Sequence, residues 1–335
     1  MDQRKSRIDT VMEQNELILT LMSQYLNYAP RFLTAETVES LASECKISND
    51  EAFLALFGAA LGLDCADNKE HRLLERLYLR TGILRLDPTV YQNDPYYRQI
   101  SFPAVKTARW EFKESRYDPY EPFVRNDPLV TSELREIPQL GYFEKEFRFP
   151  AVLENGIEWM TVTPNEIETM KEPIQKSHGN VLTLGLGLGY FAFRACEKEN
   201  VSGVTVIERD EEIISLFCEY LLPQFPNREK IKIVKADAFE YLKKEYQAEN
   251  FDYVFADLWH DASDGLELYV RLKRTFKSLP PERIDYWIER SLLCALRRLV
   301  YEKLRERADT LHLEGVPIEA CLSDAFLKKL DPDVD

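Results

Sequence analysis

Hydrophobic residues recur along the chain with two different periods, and each period marks a region. Near the start the spacing is helical, since Ile8, Met12, Ile18 and Met22 fall on one face. A capping sequence from Ser48 then precedes a stretch that is apolar nearly all round, which predicts a buried helix. This pattern predicts a helical accessory domain over residues 1–86.

Two of the predicted helices, Ala35–Cys45 and Asp50–Leu61, resemble the helix pair of a helix-turn-helix DNA reader. The second of them contains no basic residue that would contact phosphate groups. We therefore favour a helical accessory domain, or a domain through which the protein forms a homodimer.

Residues 87–140 are rich in proline and aromatic residues, which excludes long helices. One interpretation is an ordered connector that lies over the core through its aromatic side chains. The other is a lid over a substrate pocket. The first is favoured, because long mobile loops are uncommon in compact domains.

Strand signals follow over residues 141–335. Apolar clusters at 142–150 and 157–163 flank Asn155-Gly156, which is a preferred hairpin turn. Strands then alternate with helices, at 180–184, 203–207, 231–235, 252–256 and 284–288. This alternation predicts an α/β fold, a Rossmann-like doubly wound and mostly parallel sheet with a leading β-hairpin and C-terminal helices. No convincing sixth or seventh strand follows.

The charge of the chain restricts its partners. It has 58 acidic and 43 basic residues, a net charge of −15 at pH 7. Such a field repels phosphate backbones and anionic lipids, which disfavours nucleic acid and membrane surfaces as partners. We expect a small-molecule substrate rather than a macromolecule.

Other composition features favour a cytoplasmic protein. No segment approaches the ~18 consecutive apolar residues of a membrane span, and the N-terminus has no apolar signal core. The six cysteines are scattered without a C-x-x-C pair, which indicates reduced core thiols. None of the four histidines has metal-ligand spacing from another, so no metal site is expected.

The first chemical signal is a cluster of three glycines, Gly185, Gly187 and Gly189, after the strand at 180–184. A ligand can approach the backbone there because no Cβ intervenes. Tyr190 ends the turn, and the helix predicted at 191–198 presents its free N–H groups to it. Taken alone, this signal is weak.

Acidic residues at the ends of the next two strands strengthen the signal from the glycine cluster. Glu208, followed by Arg209, ends the second strand, where a carboxylate can accept hydrogen bonds from both hydroxyls of a ribose. Asp237 follows the third strand, where its carboxylate can accept a hydrogen bond from an adenine amino group. The N–H of Ala238 can donate a hydrogen bond to a nitrogen of the adenine ring. Glu208 as a surface acid and Asp237 as a helix cap are the structural alternatives.

These residues resemble the class I S-adenosylmethionine-dependent methyltransferase superfamily, including its aminopropyltransferase (spermidine synthase) branch. The resemblance covers about residues 142–308. It implies S-adenosyl-L-methionine as the cofactor, with its methionyl part at the glycine turn, its ribose at Glu208 and its adenine at Asp237.

The chain departs from each branch at particular positions. Thr183 stands where ordinary methyltransferases usually carry an acid and aminopropyltransferases an apolar residue. The turn lacks the G-G-G-D-G-G pattern of aminopropyltransferases. Their D-x-x-D pair is only half matched, since Asp257 and Asp261 are four residues apart.

Candidate substrate residues follow the fourth strand. Asp257 is suited to orient a nucleophilic amine or the cofactor's ammonium, and His260 to act as a general base, since an imidazole can exchange protons near neutral pH. Trp259 is suited to stack on a planar substrate or close over a sulfonium, and Asp261 to contact the substrate. The alternative is a loop and helix cap with His260 facing water.

We therefore expect a methyltransferase that uses S-adenosylmethionine and an unidentified acceptor. One alternative is an aminopropyltransferase. Another is an NAD-dependent oxidoreductase, since Gly187-x-Gly189-x-x-Ala192 also fits a dinucleotide fingerprint. The third is a non-catalytic nucleoside-binding or assembly protein.

Overall fold

The computed structural model describes residues 6–306 and 318–330. Its helices are α1 Arg7–Tyr28, α2 Ala35–Cys45, α3 Asn49–Ala60, α4 Lys69–Leu74, α5 Arg80–Gly82, α6 Pro88–Gln92, α7 Pro95–Gln99, α8 Pro164–Lys176, α9 Tyr190–Cys196, α10 Glu211–Leu216, α11 Ala238–Lys244, α12 Ala262–Thr275, α13 Glu289–Glu306, α14 Ile318–Cys321 and α15 Asp324–Leu327. Its strands are β1 Ile83–Arg85, β2 Val105–Lys106, β3 Trp110–Tyr117, β4 Phe123–Val130, β5 Glu136–Tyr142, β6 Phe147–Glu154, β7 Ile157–Thr161, β8 Gly179–Leu184, β9 Val201–Glu208, β10 Ile231–Lys235, β11 Tyr253–Ala256 and β12 Ile284–Tyr286.

The chain forms two compact units, each made of separate segments. Of the described residues, the first unit contains 6–88, 116–147, 293–306 and 318–330, and the second contains 89–115 and 148–292. The predicted division at 86 and 140 remains a prediction.

The first unit joins the N-terminal helices to a three-stranded sheet in the order β1-β5-β4. Serine or threonine caps begin α1, α2 and α3, as the sequence pattern predicts for helix starts. Phe53 and Phe57 on α3 are fully buried, and Phe53 stacks on Tyr142 of β5 at 3.9 Å between ring centroids. Aromatic packing therefore forms much of the core of this unit.

Strands occupy much of the region predicted to be a connector. Trp110 and Phe112 are buried while their neighbours on β3 are less so, which is the two-residue period of a strand. Pro128 lies in β4 at a register irregularity between Asn126 and Leu129. A proline is tolerated in a strand at such a position. The prolines of this region therefore exclude long helices but not strands.

A five-stranded parallel sheet dominates the second unit, in the order β10-β9-β8-β11-β12. The prediction of a Rossmann-like parallel sheet is confirmed. All residues of β11 and most of β8 are buried, as expected for a sheet covered on both faces. In the described part of the chain no further strand follows β12, in line with the absence of a convincing sixth or seventh strand from the sequence pattern.

The strand order reverses at β8, whose neighbours are β9 and β11. The chain passes from β8 through β9 to β10 on one side and then returns to β11 on the other side of β8, and such a reversal opens a crevice at the carboxyl ends of β8 and β11. The glycine turn follows β8, and Asp257 follows β11. The topology thus brings the two candidate segments to one edge.

The segment around α7 is attached to the helix that follows the glycine turn. Asp94 caps α7 through Oδ1, and its Oδ2 accepts from the Tyr190 hydroxyl (3.0 Å) and from Arg194 Nη1 (2.5 Å). The fully buried Tyr96 donates its hydroxyl hydrogen to the carbonyl of Leu188, 2.8 Å away. This segment therefore supports the glycine turn from outside the sheet.

Two further features concern the whole chain. No helix among residues 6–306 and 318–330 is long and apolar enough to cross a membrane. All six cysteines are free, but Cys45 and Cys218 are exposed. The prediction of core thiols is thus wrong for these two, since both lie on outward faces of helices.

We predict that Asp94→Ala destabilises the protein by about 2–4 kcal/mol, because Tyr190 and the partly buried Arg194 lose a shared acceptor. Urea denaturation measures the change. The control is Glu240→Ala, which removes an exposed acid from an i,i+4 ion pair on α11 and should leave the midpoint unchanged. Equal midpoints for both variants would contradict the supporting role of Asp94.

Candidate functional site

The glycine turn has a backbone conformation that other residues rarely adopt. Gly185, Gly187 and Gly189 have φ of 98°, 53° and 73°. A Cβ at Gly185 would lie 1.9 Å from the carbonyl oxygen of Asp257, and one at Gly187 would lie 2.3 Å from Cε of Met160. The first two glycines therefore permit close contacts with β11 and β7.

Glu208, at the end of β9, binds the same turn. Its Oε2 accepts from the N–H of Leu186 (3.3 Å), and its Oε1 accepts from the N–H groups of Arg209 (2.7 Å) and Asp210 (2.8 Å). The side chain is buried, with 8% exposure. A carboxylate has about four lone-pair positions, so Glu208 can hold the turn and still accept from a ligand hydroxyl.

Asp237 caps α11, as the structural alternative proposed. Its Oδ1 accepts from the N–H groups of Phe239 (3.0 Å) and Glu240 (3.1 Å). Both bonds use the same oxygen, and the residue is exposed while Ala238 is buried. Capping therefore leaves Oδ2 available to a ligand.

These residues meet in one cleft of about 400 Å³. Of the predicted site residues, it is lined by Gly185, Gly187, Glu208, Arg209, Asp237, Ala238, Asp257, Trp259 and His260. A cleft of this volume is in the range of small-molecule sites.

Three predicted site residues do not line the cleft. A Cβ at Gly189 would meet the ring of Phe217, so this glycine faces the core. The Tyr190 hydroxyl donates to Asp94, and burial raises its pKa. Asp261 caps α12, with its Oδ1 2.6 Å from the N–H of Ser263.

Trp259 forms a wall of the cleft. It is 4% exposed, its Nε1–H donates to the carbonyl of Trp287 at 3.2 Å, and a Cβ at Gly265 would lie 2.6 Å from its ring. Trp159 on β7 is the more accessible aromatic residue, with its ring centroid 6.0 Å from that of His260. The prediction of a stacking tryptophan therefore fits Trp159 better.

His260 and Asp264 form an oriented pair at the cleft. Nδ1 of His260 lies 2.9 Å from Oδ2 of Asp264, and both residues are exposed. Burial opposes ionisation of Asp264, but its hydrogen bonds with His260 and Asp261 hold its pKa below the ordinary value. A proton on Nδ1 would leave Nε2 as the accepting nitrogen, the arrangement of a general base.

Asp257 carries the most perturbed carboxyl of the site. Within the described ranges its buried Oδ1 has no hydrogen-bond partner. Burial, together with the nearby Glu166 carboxyl, raises the pKa of Asp257 well above its usual value. Such a group in a cleft is a strong candidate for contact with a cationic ligand.

The sequence pattern does not predict several residues that line the cleft or a smaller cavity behind the glycine turn: Trp159, Met160, Glu166, Phe239, Asp264, Glu267 and Leu268. The only signal for Glu166 was the capping box Thr163-x-x-Glu166, which predicts a helix start and no ligand contact. Met160 and Trp159 lie on the predicted hairpin, but strand periodicity does not show what a strand end covers.

Residues 165–275 match the Spermine/spermidine synthase domain. The predicted resemblance to that branch of the class I superfamily is confirmed over this segment. Comparison with curated proteins gives no match.

Three solved structures align with parts of the chain. A spermidine synthase from Thermotoga maritima has 19% identity and TM-score 0.28 over 36% of this chain and 48% of its own. A spermidine synthase in complex with the transition state analogue AdoDATO has 20% identity and TM-score 0.28 over 33% and 43%. A Streptococcus mutans protein assigned as a SAM-dependent methyltransferase has 18% identity and TM-score 0.29 over 41% and 36%. Less than half of each matched chain is covered.

We predict that Glu208→Ala lowers the free energy of unfolding of the ligand-free protein by about 1–3 kcal/mol, because three N–H groups lose their acceptor. The sequence alone gave no reason to expect this loss. Urea denaturation tests it, with Glu211→Ala as the control on the exposed side of α10. An unchanged midpoint for Glu208→Ala would show that the carboxylate does not hold the turn.

Asp257→Asn should stabilise the ligand-free protein by about 1–3 kcal/mol at pH 8 and by less at pH 5. Because the pKa of Asp257 is raised in the folded state, the folded wild-type protein loses stability as the pH rises through that pKa. Asparagine does not titrate, so the variant does not have this loss. Thermal unfolding at both pH values measures the difference. Asp237→Asn, which keeps an exposed helix cap, is the control; a gain for Asp257→Asn that is equal at both pH values would contradict the prediction.

Proposed function

We propose that the protein transfers a methyl group from S-adenosylmethionine to a small-molecule acceptor bound in the cleft. The observation that carries this proposal is that Gly187, Glu208 and Asp237, from the ends of three adjacent strands, line one cleft at the point where the strand order reverses. The match to a transferase domain supports the reaction class.

The residues of the cleft fit the parts of such a donor. Glu208 retains lone pairs for ribose hydroxyls, and Asp237 retains Oδ2 for the adenine amino group, next to Ala238. The unpartnered Oδ1 of Asp257 fits an ammonium group. The donor would supply a methyl carbon on a sulfonium sulfur: as the acceptor's bond to this carbon forms, the carbon–sulfur bond breaks, its electron pair stays on sulfur, and S-adenosylhomocysteine is the leaving group.

The chain's own residues position the acceptor and remove its proton. Asp264 orients His260, whose free ring nitrogen accepts a proton from the acceptor as the new bond forms. Trp159 and the buried Trp259 limit water near the reacting atoms. Displacement at a sulfonium carbon depends mainly on alignment, so these positioning contacts contribute most of the catalysis.

Aminopropyl transfer is the second candidate, and the acidity of the cleft favours it. Among the described residues, five acidic side chains line the cleft, from Glu208, Asp237, Asp257, Asp264 and Glu267, against one arginine, Arg209. This field attracts polyamines. Methyl transfer is preferred because Asp261, the second acid of the half-matched pair, caps α12 outside the cleft lining. A cytoplasmic location and a homodimer formed through the N-terminal helices complete the proposal.

Two parallel assays test the reaction. The first contains S-adenosylmethionine with a labelled methyl group and the small-molecule fraction of a cell extract. The second contains decarboxylated S-adenosylmethionine with putrescine or spermidine. We expect label transfer in the first, whereas methylthioadenosine formed only in the second would replace methyl transfer by aminopropyl transfer.

Gly187→Asp should abolish both nucleoside binding and transfer, because its side chain would occupy the approach to the turn. Gly62→Asp is the matched control: Gly62 also has positive φ, at 78°, but open space around it. Calorimetric binding of NADH and of neither adenosylmethionine nor adenosylhomocysteine would overturn the donor assignment.

A further inference from the structure

The turn between β2 and β3 carries an arginine that reaches the end of β9 from outside the segment that matches the synthase domain. Thr107 closes this turn, since its N–H donates to the carbonyl of Trp110 (2.8 Å) and its Oγ1 accepts from the N–H of Trp110 (2.9 Å). Arg109 lies within the turn, and its carbonyl accepts from the N–H of Asn155 at 2.7 Å, in the turn between β6 and β7. The backbone of Arg109 is therefore held by two hairpins.

The side chain of Arg109 binds two carboxylates that belong to different elements. Its Nε and Nη2 both lie 2.7 Å from Oε1 of Glu154, at the end of β6, and its Nη1 donates to Oδ2 of Asp210 at 2.6 Å. The guanidinium also lies over the ring of Trp110, with Cζ 4.6 Å from the ring centroid. A planar guanidinium with five N–H donors is suited to such a double contact. Arg109 thus joins the β6–β7 turn to the segment after β9.

Asp210 connects Arg109 to Glu208. Its Oδ1 caps α10 by accepting from the N–H groups of Glu212 and Ile213, both at 3.0 Å, and its Oδ2 accepts from Arg109. The N–H of Asp210 donates to Oε1 of Glu208 at 2.8 Å. The position of Asp210 therefore helps to set the direction of the Glu208 carboxylate.

We propose that Arg109 is a positioning residue for ribose recognition: through Asp210 it fixes the carboxylate of Glu208 in the direction that accepts from ribose hydroxyls. This inference rests on the proposed function, in which Glu208 binds the ribose of the donor. Arg109 is not among the described residues that line the cleft, so it acts through the other two side chains.

The charge of Arg109 also allows two acids to remain close together. The negative charges of Glu208 and Asp210 repel each other, and Arg109 offsets the charge of Asp210. In the described part of the chain the donors to Glu208 are backbone N–H groups alone. The ion pair is thus made by Asp210, and the remaining lone pairs of Glu208 stay available to hydroxyl groups.

Binding of two neutral nucleosides tests the proposal. Adenosine carries both ribose hydroxyls, whereas 2′,3′-dideoxyadenosine has the same base and neither hydroxyl. Titration calorimetry gives the affinity of each, and their ratio measures recognition of the hydroxyls. We expect Arg109→Met to lower this ratio about three- to fivefold, which is the size of effect of a partly exposed ion pair. A general loosening of the cleft would weaken both nucleosides alike and leave the ratio unchanged.

Further variants follow the path from Arg109 to Glu208. Asp210→Asn should lower the ratio by a similar factor, because asparagine keeps the cap of α10 but turns an amide NH2 group toward Arg109. Arg109→Lys keeps the charge without the planar fork and should restore part of the ratio. In Glu208→Gln protein, the added change Arg109→Met should leave the ratio where it is, because the carboxylate through which Arg109 acts is gone. Lys106→Met is the matched control, since Lys106 pairs with Glu111 within the same hairpin.

The outcomes separate the two proposals. Wild-type protein that binds neither nucleoside overturns the proposed function and this inference with it. A wild-type preference for adenosine that persists in both Arg109→Met and Asp210→Asn overturns the role of Arg109 alone. An equal loss in Lys106→Met, or a further loss on adding Arg109→Met to Glu208→Gln, also overturns it, since the effect would then not pass through Glu208. Urea denaturation checks that each variant is folded, and Asp210→Asn tests the same path if Arg109→Met is not.

Discussion

The site depends on one close contact between backbones, where the glycine turn after β8 passes the end of β11. At Gly185 even a methyl group would collide with the carbonyl oxygen of Asp257. This contact places the turn, the end of β11 and the end of β9 at one edge, where the N–H of Leu186 reaches Glu208. The cleft follows from these contacts, since its floor is the turn itself.

Around this floor, several groups are held in unfavourable environments. No group in the described part of the chain hydrogen-bonds to the buried Oδ1 of Asp257, and the nearby Glu166 carboxyl contributes to the raised pKa of Asp257. Residues of a ligand site often lower the stability of the ligand-free protein in this way. An acceptor that has no donor in the ligand-free protein can accept a hydrogen bond from the ligand when the ligand binds. In contrast, Asp94 is satisfied by Tyr190 and Arg194, and it fixes the outer side of the same turn.

Glu208 shows that structural and ligand-binding roles are compatible in one side chain. Its three backbone contacts hold the turn, and the carboxylate still has accepting capacity toward the cleft. Asp237 combines two roles in the same manner, with one oxygen on the helix and one available. The choice between a helix cap and a ligand contact, which the sequence posed, is therefore not exclusive.

Local sequence patterns are sufficient to predict the strands of the parallel sheet and many of the residues that line the cleft. Apolar runs and their breaks predict β8 to β12 within a few residues, and glycines, Glu208 and Asp237 at strand ends predict which residues line the cleft, because parallel strands all end at one edge. Tertiary structure alone decided the rest. Gly189 faces Phe217, Tyr190 binds Asp94, and Met160 and Glu166 line a small cavity behind the glycine turn. These contacts join residues distant in sequence, and the direction of a side chain depends on what packs against it, which periodicity along one segment does not encode.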